Sequence, residues 1–116
     1  MKHITILLAF LITLSSPVAA QDFQKGYDAA QAGDFATALQ EWAPLAEAGD
    51  AAAQINLGVM YAYGNGVLQD NVMAHMWYNI ASANGASKAG EYRDERAGLM
   101  TPADISKAQA IGHVTV

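Results

Sequence analysis

The sequence predicts an all-α fold: a short α-solenoid of about two and a half helix-turn-helix repeats with a C-terminal capping helix. Three observations carry this. Apolar residues recur at three- and four-residue spacing. Ile55, Leu57, Tyr61 and Ala62 do so in one stretch, and Val72, Met73, Met76, Trp77, Ile80 and Ala81 in the next, as along one face of a helix. Gly64-Asn65-Gly66 separates the two stretches, and such a sequence turns more readily than it continues a helix. Landmarks also return 36 residues apart, pairing Ala38 with Ala74, Trp42 with Tyr78 and Gly49 with Gly85. A hairpin with apolar faces on both sides cannot bury them alone, so such units stack. No alternating stretch is long enough to argue for strands.

At the N-terminus, Lys2 and His3 precede an apolar run from Ile4 to Leu14, then Ser15-Ser16-Pro17 and the small residues Val18 and Ala20. Residues 1–20 are expected to be a secretory signal peptide cut after Ala20. The rival reading is an uncleaved anchor, but a span needs roughly 20 apolar residues and Ser15 ends this run too early. The expected location is periplasmic or secreted, with no membrane contact after cleavage. The chain has no cysteine, so it has neither a lipid attachment point nor disulfide staples. The formal charge of −5 becomes −6 once Lys2 is removed. Nucleic-acid binding calls for clustered Lys and Arg, so that class is excluded. Residues 21–116 suffice for one small domain, which buries only about 60–65% of its unfolded surface.

The first hairpin is expected over 22–49. Phe23, Gly26, Tyr27, Ala29 and Ala30 mark a short helix ending at Gly33. Asp34 then caps a helix from Phe35 to Ala48 whose stripe is Phe35, Ala38, Leu39, Trp42, Leu45 and Ala46. Pro44 lies in that stripe and is expected to kink it near residues 40–43. The second hairpin, 50–85, has Asp70 capping its second helix. A third hairpin or cap occupies 86–112. Its first helix is expected over Ala86 to Met100, with Ala89-Gly90 placed 32 residues after Leu57-Gly58. Thr101 caps the last helix, Pro102 suits its first position and Asp104 its third, with Gly112 ending it and 113–116 fraying.

The spacing Ala53-Gln54, Leu57-Gly58, Tyr61, Gly64-x-Gly66-Val67, Asp70, Ala74, Trp77-Tyr78, Ala81 and Gly85 resembles the Sel1-like repeat, a relative of the tetratricopeptide repeat with a longer hairpin loop. The first hairpin lacks the long loop and looks more like a plain tetratricopeptide repeat. The resemblance implies a right-handed stack that binds a protein or peptide. It also implies that the first helix of each hairpin lines the concave groove. Carried over position by position, the protein-binding groove residues are Tyr27, Gln31, Val59, Tyr63, Glu91, Asp94 and Glu95. That surface would be aromatic and small at one end and acidic at the other, suiting an extended segment with apolar and basic residues.

The residues give catalysis no support. His75 has no His or carboxylate at i+3 or i+4 and is expected to be a partly exposed helical residue. His113 lies in the tail. Gly-x-Ser-x-Gly and Ser-x-x-Lys patterns are absent, and Gly64-x-Gly66 follows a helix and lacks a phosphate-loop lysine. No catalytic residue, metal or cofactor is expected. Trp42, Trp77 and Tyr78 are expected in the core. The run 91–96 separates acidic Glu91, Asp94 and Glu95 from Arg93 and Arg96 by helical spacing. It is either a solvated face or a docking stripe. The expected function is therefore a non-catalytic, exported interaction module, with pairing of terminal hairpins between copies as a further partner. A host-directed effector is the alternative. A β-lactamase-like hydrolase, as described for cysteine-rich relatives, is disfavoured by the missing cysteines.

Overall fold

The computed structural model describes residues 22–115, with side chains to Gly112; the expected signal peptide lies outside them. The described residues form six helices and no strand: α1 Phe23–Gln31, α2 Phe35–Glu47, α3 Ala51–Tyr63, α4 Asn71–Ala83, α5 Ala89–Ala97 and α6 Pro102–Thr115. Each helix packs on its neighbour along the chain up to α5, whereas α6 lies chiefly on α4. The fold is the short all-helical stack that the periodicity predicts. No described helix is long and apolar enough to cross a membrane.

Aspartates start the first four helices. Asp22 accepts from the amides of Gln24 and Lys25, Asp34 from Thr37, Asp50 from Ala52 and Ala53, and Asp70 from Val72 and Met73. A carboxylate there meets amides with no partner inside the helix and opposes the helix dipole. The Thr37 hydroxyl also donates to Asp34 at 2.7 Å, which holds that carboxyl below its ordinary pKa. Thr101 caps α6 by accepting from the Asp104 amide at 3.1 Å. Gly64 ends α3 at φ 69°, a left-handed conformation that glycine adopts without steric cost.

Residues 35–47 form one helix with Pro44 inside it, and the Pro44 carbonyl accepts from the Ala48 amide. Two expectations about the third unit need correction. The first helix of the third unit is shorter than expected, because Ala86–Lys88 form a turn and no side chain caps α5. Gly112 does not end α6, which runs to Thr115. It is buried beside Met76 and Ile80, whose side chains a Cβ there would meet at ordinary van der Waals distance.

The core joins the first two hairpins. Ala38, Trp42 and Ala46 of α2 meet Ala53, Leu57 and Met60 of α3 and Met76, Trp77 and Ile80 of α4. The Trp42 indole donates to the Phe23 carbonyl at 3.1 Å. Gln54, 2% exposed, donates to the Ala46 carbonyl at 2.9 Å and accepts from the Asn84 amide at 3.0 Å. Buried polar groups are costly unless paired, and this one ties the ends of α2 and α4 to α3.

Candidate functional site

The repeat is built around a glycine facing an aromatic ring. A Cβ on Gly26 would collide with the Trp42 indole, and one on Gly58 with the Tyr78 ring. Both glycines lie on first helices and both rings on second helices, so each hairpin closes with a ring laid over bare backbone. Ala38 and Ala74 are both fully buried, and Gly49 and Gly85 turn at φ 104° and 103°. Ala38 with Ala74, Trp42 with Tyr78 and Gly49 with Gly85 are the 36-residue repeat in three dimensions. Gly26 and Gly58 are 32 residues apart because the first hairpin has the shorter loop.

The third unit follows the same 36-residue offset. Ala89 is fully buried, like Ala53. Gly90 faces Ser82 of α4, as Gln54 bonds Ala46 of α2. Ala89-Gly90 therefore correspond to Ala53-Gln54, one helical turn from the placement expected against Leu57-Gly58. In this register Tyr92 is the counterpart of Asn56, and Glu95 of Val59.

Two clefts run along the first helices and share Val59. The first, about 160 Å³, is lined by Tyr27, Ala30, Gln31, Phe35, Asn56, Val59 and residues beneath them. The second, about 270 Å³, is lined by Val59, Tyr63, Tyr78, Tyr92 and Glu95. The structure thus brings Tyr27, Gln31 and Val59 together, and separately Val59, Tyr63 and Glu95. Glu91 and Asp94 are exposed and line neither cleft. Tyr27 and Tyr63 are 46% and 61% exposed. Sequence reasoning left out Tyr92, whose counterpart Asn56 was not among the expected groove residues either, and it placed Tyr78 in the core alone. Tyr78 is buried, yet it also lines the second cleft. Burial holds its phenol up at about 12, so it stays un-ionised and apolar in character.

The charged run on α5 is neither a simple solvated face nor a free docking stripe. Arg93 donates to Asn79 of α4 and to Asp94, both at 3.0 Å. Arg96 reaches the Ala62 carbonyl, Asn71 and Glu95, and its guanidinium lies 5.3 Å from the Tyr63 ring centroid. The two arginines fasten α5 to the preceding hairpin, while Glu91, Asp94 and Glu95 face solvent.

His75 is 3% exposed, which corrects the expectation of a partly exposed residue. A face outside the apolar stripe is covered because α4 packs against α3, α5 and α6. Its Nδ1 has no hydrogen-bond partner among the described residues. Burial, and next the Arg93 cation, push its pKa below 6.5, with Asp94 opposing. Among the described residues no group of three or more His, Cys, Asp or Glu is placed to hold a metal.

Stacked helical hairpins with an open first-helix face define a helical-repeat protein. The Sel1 repeat family model matches residues 51–85, so the second hairpin reads as a Sel1 repeat within a helical-repeat chain. Sel1 repeats generally mediate protein–protein interaction and are typically non-catalytic. No curated protein and no solved structure matches the chain.

Proposed function

We propose that this protein is a non-catalytic, exported interaction module of the bacterial cell envelope, which holds an extended segment of a partner protein along α1, α3 and α5. The observation that carries this reading is the pair of adjoining clefts on the first helices. They share Val59 and are flanked by the exposed rings of Tyr27 and Tyr63. Exposed tyrosines around small apolar hollows offer large contact area at modest conformational cost, as hot spots do. Glu95 places a carboxylate at the α5 end of the second cleft, so a segment with apolar and basic residues fits best. Export rests on the leader-like residues 1–20.

The test expresses the tagged full chain in its native cell, cross-links, and compares wild type with Tyr27→Ala/Tyr63→Ala. A partner captured by wild type and lost by the double variant is the expected result. A partner captured equally by both would remove the groove. Fractionation tests export separately, and a chain confined to the cytoplasm with residues 1–20 intact would refute it.

A further inference from the structure

The second cleft has a composition that selects its occupant. Of its five lining side chains, Tyr63, Tyr78 and Tyr92 present phenol rings and Glu95 a carboxylate. Tyr63 and Tyr92 are 61% and 40% exposed, so their rings are open to a visitor, whereas Tyr78 is buried. Tyr78 and Tyr92 meet edge to face, with centroids 5.6 Å apart. Ring faces carry negative potential and attract cations, and the chain already uses one this way, with Arg96 over Tyr63 at 5.3 Å. Arg96 does not itself line the cleft. It is bonded to Ala62, Asn71 and Glu95, with a side chain only 11% exposed. Glu95 gives one oxygen to Arg96 at 3.3 Å, and its side chain is 64% exposed. A carboxylate accepts several donors, so the second oxygen of Glu95 can take a lysine donor, against the opposing charge of the Arg96 guanidinium beside it.

We propose that the cleft bounded by Tyr63, Tyr92 and Glu95 is a cage for the ammonium group of a lysine side chain on the partner segment. The ring faces cover the lysine's methylenes and ε-carbon, and Glu95 supplies the counter-charge. An apolar side chain would also meet the rings, but it would desolvate Glu95 without offering it a donor. An acidic side chain would be repelled. This inference rests on the first-helix face being the docking surface and adds the chemistry of one subsite.

The test is an NMR titration of the full chain with Nα-acetyl-lysine-N-methylamide, using the norleucine analogue as a neutral isostere. The expected result is a saturable shift of the Tyr63 and Tyr92 ring resonances, with the lysine probe binding at least about fivefold tighter than norleucine. Glu95→Gln should weaken the lysine probe by about three- to tenfold and leave norleucine unchanged. Glu95 is exposed, so this variant keeps the fold, and its amide spectrum verifies that. Equal binding of the two probes would overturn the cage, as would no saturable shift at the two rings in wild type. If Tyr27→Ala/Tyr63→Ala loses a captured partner while the probes bind equally, only the cage fails. If the probes discriminate but no partner depends on the tyrosines, only the docking reading fails.

Discussion

Gly58 and Tyr78 occupy what would otherwise be the same space, and that contact sets the separation of α3 and α4. An added methyl would collide with the ring carbons of Tyr78, a buried side chain that would have to shift toward the second cleft to make room. Gly58→Ala is therefore expected to lower stability by about 1–3 kcal/mol, read as a lower midpoint in urea. Gly90→Ala is the control. Its nearest neighbour is the Ser82 hydroxyl at 3.6 Å, so the variant should be neutral or gain up to about 1 kcal/mol from helix propensity. Equal losses in both would refute the ring-on-glycine account. His75 makes a different kind of residue-level claim. The unfolded chain binds the imidazole proton around pH 6.5, while the folded chain binds it only at lower pH. Between those two values the unfolded state holds more protons, so stability falls as pH drops below 6.5 toward the folded value. Arg93 and Asp94 of α5 act on the imidazole; the titratable side chains of α3 are Tyr61 and Tyr63, and on α6 Asp104 and Lys107 are exposed. His75→Leu should flatten that part of the stability curve, measured by urea unfolding above and below pH 6.5. An unchanged slope would place the pH response elsewhere.

The helices hold together partly through side chains that reach across hairpins, and α5 depends on them most. It is nine residues long and has no capping side chain, so it is too short to hold its helix alone in water. Arg96 compensates by bonding the end of α3 and the start of α4 while stacking on Tyr63. Arg96→Ala is expected to cost about 1–2 kcal/mol, mainly by unpairing polar groups and losing packed stem. Amide exchange should quicken in α5 before any other helix responds, and a uniform change along the chain would contradict this role. The same element shows how far sequence reading goes. Helices started by Asp34, Asp70 and Thr101 were readable because a capping side chain acts within three residues. The 36-residue pairs were readable because a buried alanine or a turn glycine has few substitutes. The register of the third unit was not, since Ala89-Gly90 imitates a Leu-Gly landmark and lies one helical turn from its true counterpart. The burial of His75 and the reach of Arg93 and Arg96 were hidden too. A single-helix periodicity reports one buried stripe, whereas α4 is covered by three helices. The clefts were partly readable. Tyr27, Gln31, Val59 and Tyr63 follow from repeat position, Glu95 lines the cleft as the counterpart of Val59 instead of Tyr63, and the part played by Tyr78 depends on how two helices sit together.

Contacts in the whole molecule run mainly between neighbouring helices, so stability should be distributed as in a one-dimensional stack, greatest where an element has neighbours on several sides. Among the described residues α4 has three, α2 and α3 have two, and α1, α5 and α6 have one principal neighbour each. Native-state amide exchange should therefore be slowest in α4 and fastest in α1, α5 and α6, because local opening costs least where few contacts are lost. This ordering bears on binding. The wall of the second cleft formed by Tyr92 and Glu95 lies on α5, whereas Val59 and Tyr63 lie on the better-held α3. An occupant that spans both walls must hold α5 in place, and anything that binds the folded form alone suppresses its opening. With a saturating lysine probe or a captured partner, exchange in α5 should slow while that in α1 stays as it was. If the first cleft is filled by the same segment, α1 should slow as well. That second change would require the occupant to extend past Val59, whose side chain both clefts share, and Val59→Arg should then abolish protection at both ends at once. Exchange in the free protein that is as slow in α5 as in α4 would refute the ordering on which this argument rests.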